Sequence, residues 1–138
     1  MQIRTPAQAP DVLPTLAQLE ARLPLIRRIA FEIHDRVRSM RSLRRVLSGL
    51  RAEGGPERAL REAELDLGGE QTAYLSCLIE LSGLGCALEQ ESPVMVHARV
   101  QLPGGPTTAC WVIGESRIAW CHPPDASPGT ARQPIGTR

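Results

Sequence analysis

Cysteine and histidine beside paired tryptophans are the residues of this chain whose types and spacing invite chemistry. The stretch 110–122 reads C-W-V-I-G-E-S-R-I-A-W-C-H, two apolar, β-favouring runs around a Gly-Glu-Ser-Arg turn. With a tight two- or four-residue loop, Ile113 pairs with Ile118. Trp111 then faces Trp120, and Cys110 faces Cys121 on the opposite side of the hairpin. His97, on the strand before, falls two positions from alignment with Cys110. His97, Cys110 and Cys121 are therefore the candidate metal ligands, with the sulfur and imidazole donors that zinc takes. A diagonal neighbour in a sheet sits ~7–8 Å away, long for a shared ion, and a fourth ligand is missing. The residues alone thus predict no metal and no other cofactor. Cys77, within the helical part, and Cys86, at its end, are small thiols of the kind that pack as ordinary core residues. No nucleophilic triad, phosphate loop or H-E-x-x-H pattern occurs.

The elements that must position these groups follow from composition and period. With 138 residues, 42% of them hydrophobic, the chain suits one globular domain with its own core. Phe31, Tyr74, Trp111 and Trp120 are the only aromatic residues, so the core is aliphatic, which favours helix packing. The basic residues are 16 arginines with no lysine, and the formal net charge of +1 gives no global attraction to nucleic acid or anionic membrane. No C-x-x-C pair, apolar signal core or ~18-residue apolar run is present, which predicts a cytoplasmic protein with reduced thiols and no membrane contact.

Residues 1–13 read as a loose arm and 14–138 as a single domain, divided into a helical hairpin (14–85), a β-meander (86–122) and an extended tail (123–138). Thr15 and Gln18 have capping-box spacing, and Pro24 predicts a kink or break near residues 20–24. Beyond it Ile26, Ile29, Ile33, Val37, Met40, Leu43, Leu47 and Leu50 step by threes and fours, an amphipathic helix over about 25–52. Gly54-Gly55-Pro56 is a turn. Leu60, Ala63, Leu67, Tyr74, Cys77, Leu81 and Leu84 then hold one face through a second helix, weakened but unbroken at Gly68-Gly69 and ended by Gly83 or Gly85. Residues 22–51 carry a surplus of seven positive charges and residues 53–91 a surplus of seven negative ones, so the helices complement one another when antiparallel, in the manner of a short coiled coil.

After Gly85 the period becomes two. A short strand at 86–89, a clearer one at 94–102 and a four-residue turn at 103–106 pair Val100 with Ala109 and Ala98 with Trp111. Val94, Val96, Ala98, Val100, Ala109, Trp111, Ile113, Ile118 and Trp120 then face the helices. Met95, His97, Arg99, Gln101, Thr108, Cys110, Val112, Ala119 and Cys121 form the other, mixed and solvent-accessible face.

Thr15-Leu16 through Leu23-Pro24-Leu25 resembles the T-L-x-x-A-N-x-L-L-P-L opening of a bacterial family of uncharacterised conserved proteins, a domain of unknown function. The stretch 110–122 is similar to that family's C-W-x-L-G-E-P-E-I-A-Y-W-H, and Asp125-Ala126 with Arg132-Gln133-Pro134-Ile135 to its D-A-G-F-A-G-R-Q-P-I ending. This sequence departs in having Glu20 for Asn, Cys121 for Trp, and Val94-Met95-Val96-His97-Ala98 where the family reads G-L-[VI]-D-F. The resemblance implies no activity. It implies a helical hairpin followed by a small antiparallel sheet, with the tail docked and ordered although its composition alone suggests disorder. Three residues match the motif one by one: His122, Asp125 and Arg132. Together they would make an acid/base and anion-binding group, or, structurally, a histidine at the sheet end and a charge pair pinning the tail.

The expected architecture is α+β: a long antiparallel helical hairpin with a kinked first helix, packed on a three- to four-stranded antiparallel sheet with an extended C-terminal tail docked on it. The leading functional expectation is a non-enzymatic interaction or scaffold module that self-associates, because two helices and one thin sheet leave apolar helix surface for a second copy. The alternative is a small-ligand-binding or metal-dependent enzyme centred on His122, Asp125 and Arg132. Nucleic-acid binding through the arginine row stands third, without aromatic platforms or a docking motif to support it.

Overall fold

The computed structural model describes residues 12–122 and 131–136. The ordered body opens as the sequence predicts. Thr15 Oγ1 accepts the Gln18 N–H at 3.1 Å and Gln18 Oε1 accepts the Thr15 N–H at 2.9 Å, closing a capping box on α1 (Leu16–Ala21). The expected disturbance near Pro24 is a break. Arg22 ends α1 and begins α2 (Leu23–Glu53), and Pro24 sits in the first turn of α2, where its missing N–H would have had no partner in any case. At 1.5 Å per residue α2 is about 46 Å long.

Gly54 stops α2 in the left-handed conformation (φ 65°, ψ 39°), its N–H bonded back to the Leu50 carbonyl. A Cβ is strained at that φ, so Gly54→Ala is expected to lower stability by about 1 kcal/mol. Chemical denaturation checks this, and an unchanged midpoint would show that the turn does not depend on the left-handed residue. The antiparallel return helix, α3 (Glu57–Gly83), runs unbroken through Gly68 and Gly69 because its apolar phase is continuous across them. Arg36 pairs with Glu70 at 3.1 Å and Arg51 with Glu64 at 3.4 Å across the seam, so the opposite charges of the two helices do flank it. These are solvent-accessible pairs that orient the hairpin more than they stabilise it. At its base the Arg22 guanidinium donates to the Leu84 carbonyl at 3.0 Å, satisfying a group left over at the end of α3.

The sheet has five strands in the order β1 (Cys86–Glu91), β2 (Val94–Leu102), β3 (Gly105–Val112), β4 (Trp120–His122) and β5 (Gln133–Pro134), all antiparallel. The count exceeds the expected three or four because the tail supplies β5. It pairs with β4, and the Ile135 N–H reaches the Ala119 carbonyl at 2.8 Å. The sheet packs on the base of the hairpin. Ile26, Ile29, Ile33, Val37 and Met40 of α2 and Cys77 and Leu81 of α3 share one buried core with Val94, Val96, Ala98, Val100, Ala109, Trp111 and Ile118. Leu47 and Ala63 are buried outside that core, in the distal hairpin, where the helices cover one another.

Both hairpin registers differ from the sequence reading. The β2–β3 loop is the two-residue Pro103-Gly104, with Leu102 opposite Gly105 at φ 128°. Every pair therefore moves by two: Val100 lies opposite Thr107, Ala98 opposite Ala109, and His97 directly opposite Cys110. A shift of two keeps each side chain on its face, so the predicted buried set of β2 and β3 survives. The second slip is by one and does not. Cys110 pairs with Trp120 and Ala109 with Cys121, so Cys110 does not face Cys121 and Trp120 leaves the Trp111 face.

The cause of that slip is the loop 113–119, which is longer than the tight turn expected. Glu115 folds it: its Oε1 accepts the Val112 N–H at 2.8 Å and its carbonyl accepts the Trp111 indole N–H at 2.9 Å. The Ile113 N–H stays with Val94 of β2, and the Ile118 N–H is held by Glu20 at 3.3 Å, so Ile113 and Ile118 do not pair.

Candidate site on the outer face of the sheet

The one-residue slip places Cys110, Trp120 and His122 together on the face turned away from the helices. Expected to be wet, this face holds a fully buried Cys110 at its centre, outside the main core. From β4, opposite Thr108, comes His122, whose carbonyl accepts the Thr107 hydroxyl at 3.0 Å. From β1 comes Glu89, the extra residue where the β1–β2 register shifts between Leu88 and Gln90. The Glu89 carboxylate lies 3.3 Å from His122 Nε2. One oxygen of Glu89, the sulfur of Cys110 and one ring nitrogen of His122 all fall within 4.8 Å of one another. Neither ring nitrogen of His122, both buried, has a hydrogen-bond partner among the described residues, so the Glu89 contact is close without being aligned as a hydrogen bond.

Arg132 covers the neighbouring ground. Its Nη1 bonds Glu115 Oε1 at 3.0 Å, both side chains being about three-quarters buried, and its guanidinium lies 5.0 Å from the centroid of the Trp120 ring. The Glu115 partnership raises the Arg132 pKa further, so the group is a permanent cation. Burial pushes the Cys110 thiol up to about 11, with Glu89 adding to the effect and Arg132 opposing it. As a free thiol it is protonated at neutral pH and a poor nucleophile. Burial likewise holds Cys77 and Cys86 at about 11, in keeping with core packing.

The residues singled out from sequence are thus partly reassorted. His122 and Arg132 share this face but have different carboxylate neighbours, Glu89 and Glu115, and Asp125 lies outside the described residues. Of the proposed metal ligands, Cys110 is central, His97 lies opposite it in β2 without joining the converging trio, and Cys121 is turned to the other face. Sequence reasoning passed over Glu89 and Glu115. Glu115 stands inside the C-W-x-L-G-E stretch that carried the family resemblance, a usable signal, whereas nothing local marks Glu89 as a bulge. A cleft of about 1200 Å³ lies elsewhere, between Thr15, Leu102, Pro106 and Ile135, and none of the candidate residues lines it.

The family model for uncharacterised conserved proteins, DUF2203, matches residues 13–135. The chain belongs to that family. Membership extends the resemblance seen at the two ends of the chain across the helices between them, from the segment entering α1 to the Ile135 contact on the sheet. No curated protein and no solved structure matches the chain. No helix among the described residues is long and apolar enough to cross a membrane.

Proposed function

We propose that this DUF2203 member is a non-enzymatic interaction module that self-associates through the outer face of α3. The observation that carries the reading is a row of exposed apolar side chains diametrically opposite the buried seam. Leu65, Leu75 and Ile79 are 70%, 56% and 72% exposed, while Ala63, Cys77 and Leu81 on the other side of the same helix are buried. Large apolar groups aligned on one helix face are unfavourable in water and mark an association surface.

The pattern is also self-complementary. Leu65 and Ile79 lie at equal distances on either side of Thr72, and so do Gly69 and Leu75 and Gly68 and Ser76. Two copies of α3 packed antiparallel about a two-fold axis at Thr72 set Leu65 against Ile79 and drop each Leu75 over a Gly69. A Cβ added at Gly68 or Gly69 meets nothing within 4 Å, so these glycines leave open space on that face. The contact row from Leu65 to Ile79 spans about 21 Å of helix.

Sedimentation equilibrium tests this. Wild type is expected to be a dimer at micromolar concentration. Leu65→Glu or Ile79→Glu, each burying two carboxylates in a two-fold interface, should weaken association by at least about 100-fold, roughly 2.7 kcal/mol, with helix content unchanged. A wild-type monomer, or a Leu65→Glu dimer of unchanged affinity, would sink the reading.

A further inference from the structure

We propose that Glu89, Cys110 and His122 form a site for a divalent transition-metal ion, zinc in the first instance, on the outer face of the sheet. The donor set comes first. One thiol sulfur, one imidazole nitrogen and one carboxylate oxygen converge within 4.8 Å, a mixed sulfur, nitrogen and oxygen set that suits a borderline-soft ion and not calcium or magnesium, which take oxygen ligands. The spacing is that of ligands sharing an ion. Tetrahedral zinc with ordinary bond lengths holds a nitrogen and an oxygen about 3.4 Å apart, and a sulfur about 3.6 Å from either. His122 Nε2 and Glu89 Oε1 are 3.3 Å apart, and the sulfur is at most about an ångström beyond its bound separation, a gap that small torsions of Glu89 and Cys110 close.

The second observation is the imidazole itself. Both His122 ring nitrogens are buried, and neither has a hydrogen-bond partner among the described residues. A buried polar pair of that kind costs free energy unless something satisfies it, and a metal on Nε2 does so for the nitrogen facing Glu89. The charges also balance. On binding, the Cys110 thiol gives its proton to solvent, and the thiolate and the Glu89 carboxylate together neutralise a dication, with His122 neutral. Arg132 beside the sulfur is already compensated by Glu115 and can steady the thiolate from outside the ligand set. Glu89 and His122 reach this point from β1 and β4, three strand spacings or about 14 Å apart, by lying over Cys110 from either side. With three protein ligands, a water takes the fourth position.

Cobalt(II) reports directly on such a site, through a thiolate-to-cobalt charge-transfer band in the near ultraviolet. Full-length protein stripped with chelator and titrated with cobalt(II) is expected to develop that band at stoichiometric metal, and zinc should abolish it by displacement. Cys110→Ser should remove the band, while Cys121→Ser and Cys77→Ser keep it. Because Cys110 is buried and its substitution risks the fold, Glu89→Gln serves as the second variant: it keeps the shape of the side chain and removes only its charge, and it should bind cobalt at least tenfold more weakly with an unchanged melting curve in the absence of metal. No band in wild type, a band that survives Cys110→Ser, or full affinity in Glu89→Gln would overturn the proposal.

Discussion

Trp111→Ala is expected to lower the stability of the protein by ~3–5 kcal/mol, enough to move the melting temperature by roughly 10 °C or more. Trp111 is 2% exposed within the core shared by α2, α3 and the sheet, so removing the indole leaves a cavity that neighbours on rigid elements cannot fill. A second loss follows at the loop. The indole N–H donates to the Glu115 carbonyl at 2.9 Å, one of the bonds that folds residues 113–119 and sets the register of β4. Trp111→Phe, which keeps most of the volume but not the donor, is expected to cost only about 1–2 kcal/mol. Denaturant titration of the two variants separates volume from hydrogen bond. Equal losses in both would show that the donor, and not the packing, carries the effect.

Arg132→Ala is expected to cost about 2 kcal/mol. A fully buried pair broken on one side costs ~3–5 kcal/mol, and the figure is discounted here because both partners keep about a quarter of their side-chain surface in water. Part of the loss is the cation–π contact with Trp120, part is the Glu115 carboxylate left with the Val112 N–H alone. A double-mutant cycle with Glu115→Ala should return a coupling of about 1–2 kcal/mol. A coupling near zero would mean that Arg132 anchors the tail through the Trp120 ring alone. Proteolysis offers a second readout, since losing the anchor should speed cleavage in the chain after His122 well before the hairpin is attacked.

Much of the helical half was legible because its determinants are local. Steps of three and four, the Thr15–Gln18 capping box, the break near Pro24 and the turn at Gly54-Gly55-Pro56 all act within a few residues of themselves. So did the alternation of β2, whose buried face tolerated a register shift of two. The β3–β4 connection was not legible, because its length is decided by Glu115 bonding back to Trp111 and Val112 and by Glu20 reaching over from α1. A single residue of slip then exchanged Trp120 for Cys121 on the outer face, and with it the group of residues that meet there. His122 and Cys110 could be suspected from sequence. That they meet each other and Glu89, with Cys121 turned to the other face, follows from the bulge in β1 and the slip in β4, neither of which leaves a local trace.

The two margins of the sheet bear on how copies of this protein can meet. An unpaired strand margin is a template for another chain's strand, and sheets left open there tend to grow. Here β5 is two residues long and one of them, Pro134, has no N–H to offer, while on the far side β1 is interrupted at Glu89 and carries Glu91 and Gln90 exposed to water. Among the described residues, neither margin offers the long, flat run of donors and acceptors that continuous strand addition needs. Growth of the sheet into fibrils is therefore discouraged at both ends. Under the self-association proposed through α3, strands closed to open-ended addition would leave the apolar helix face as the place where two copies meet.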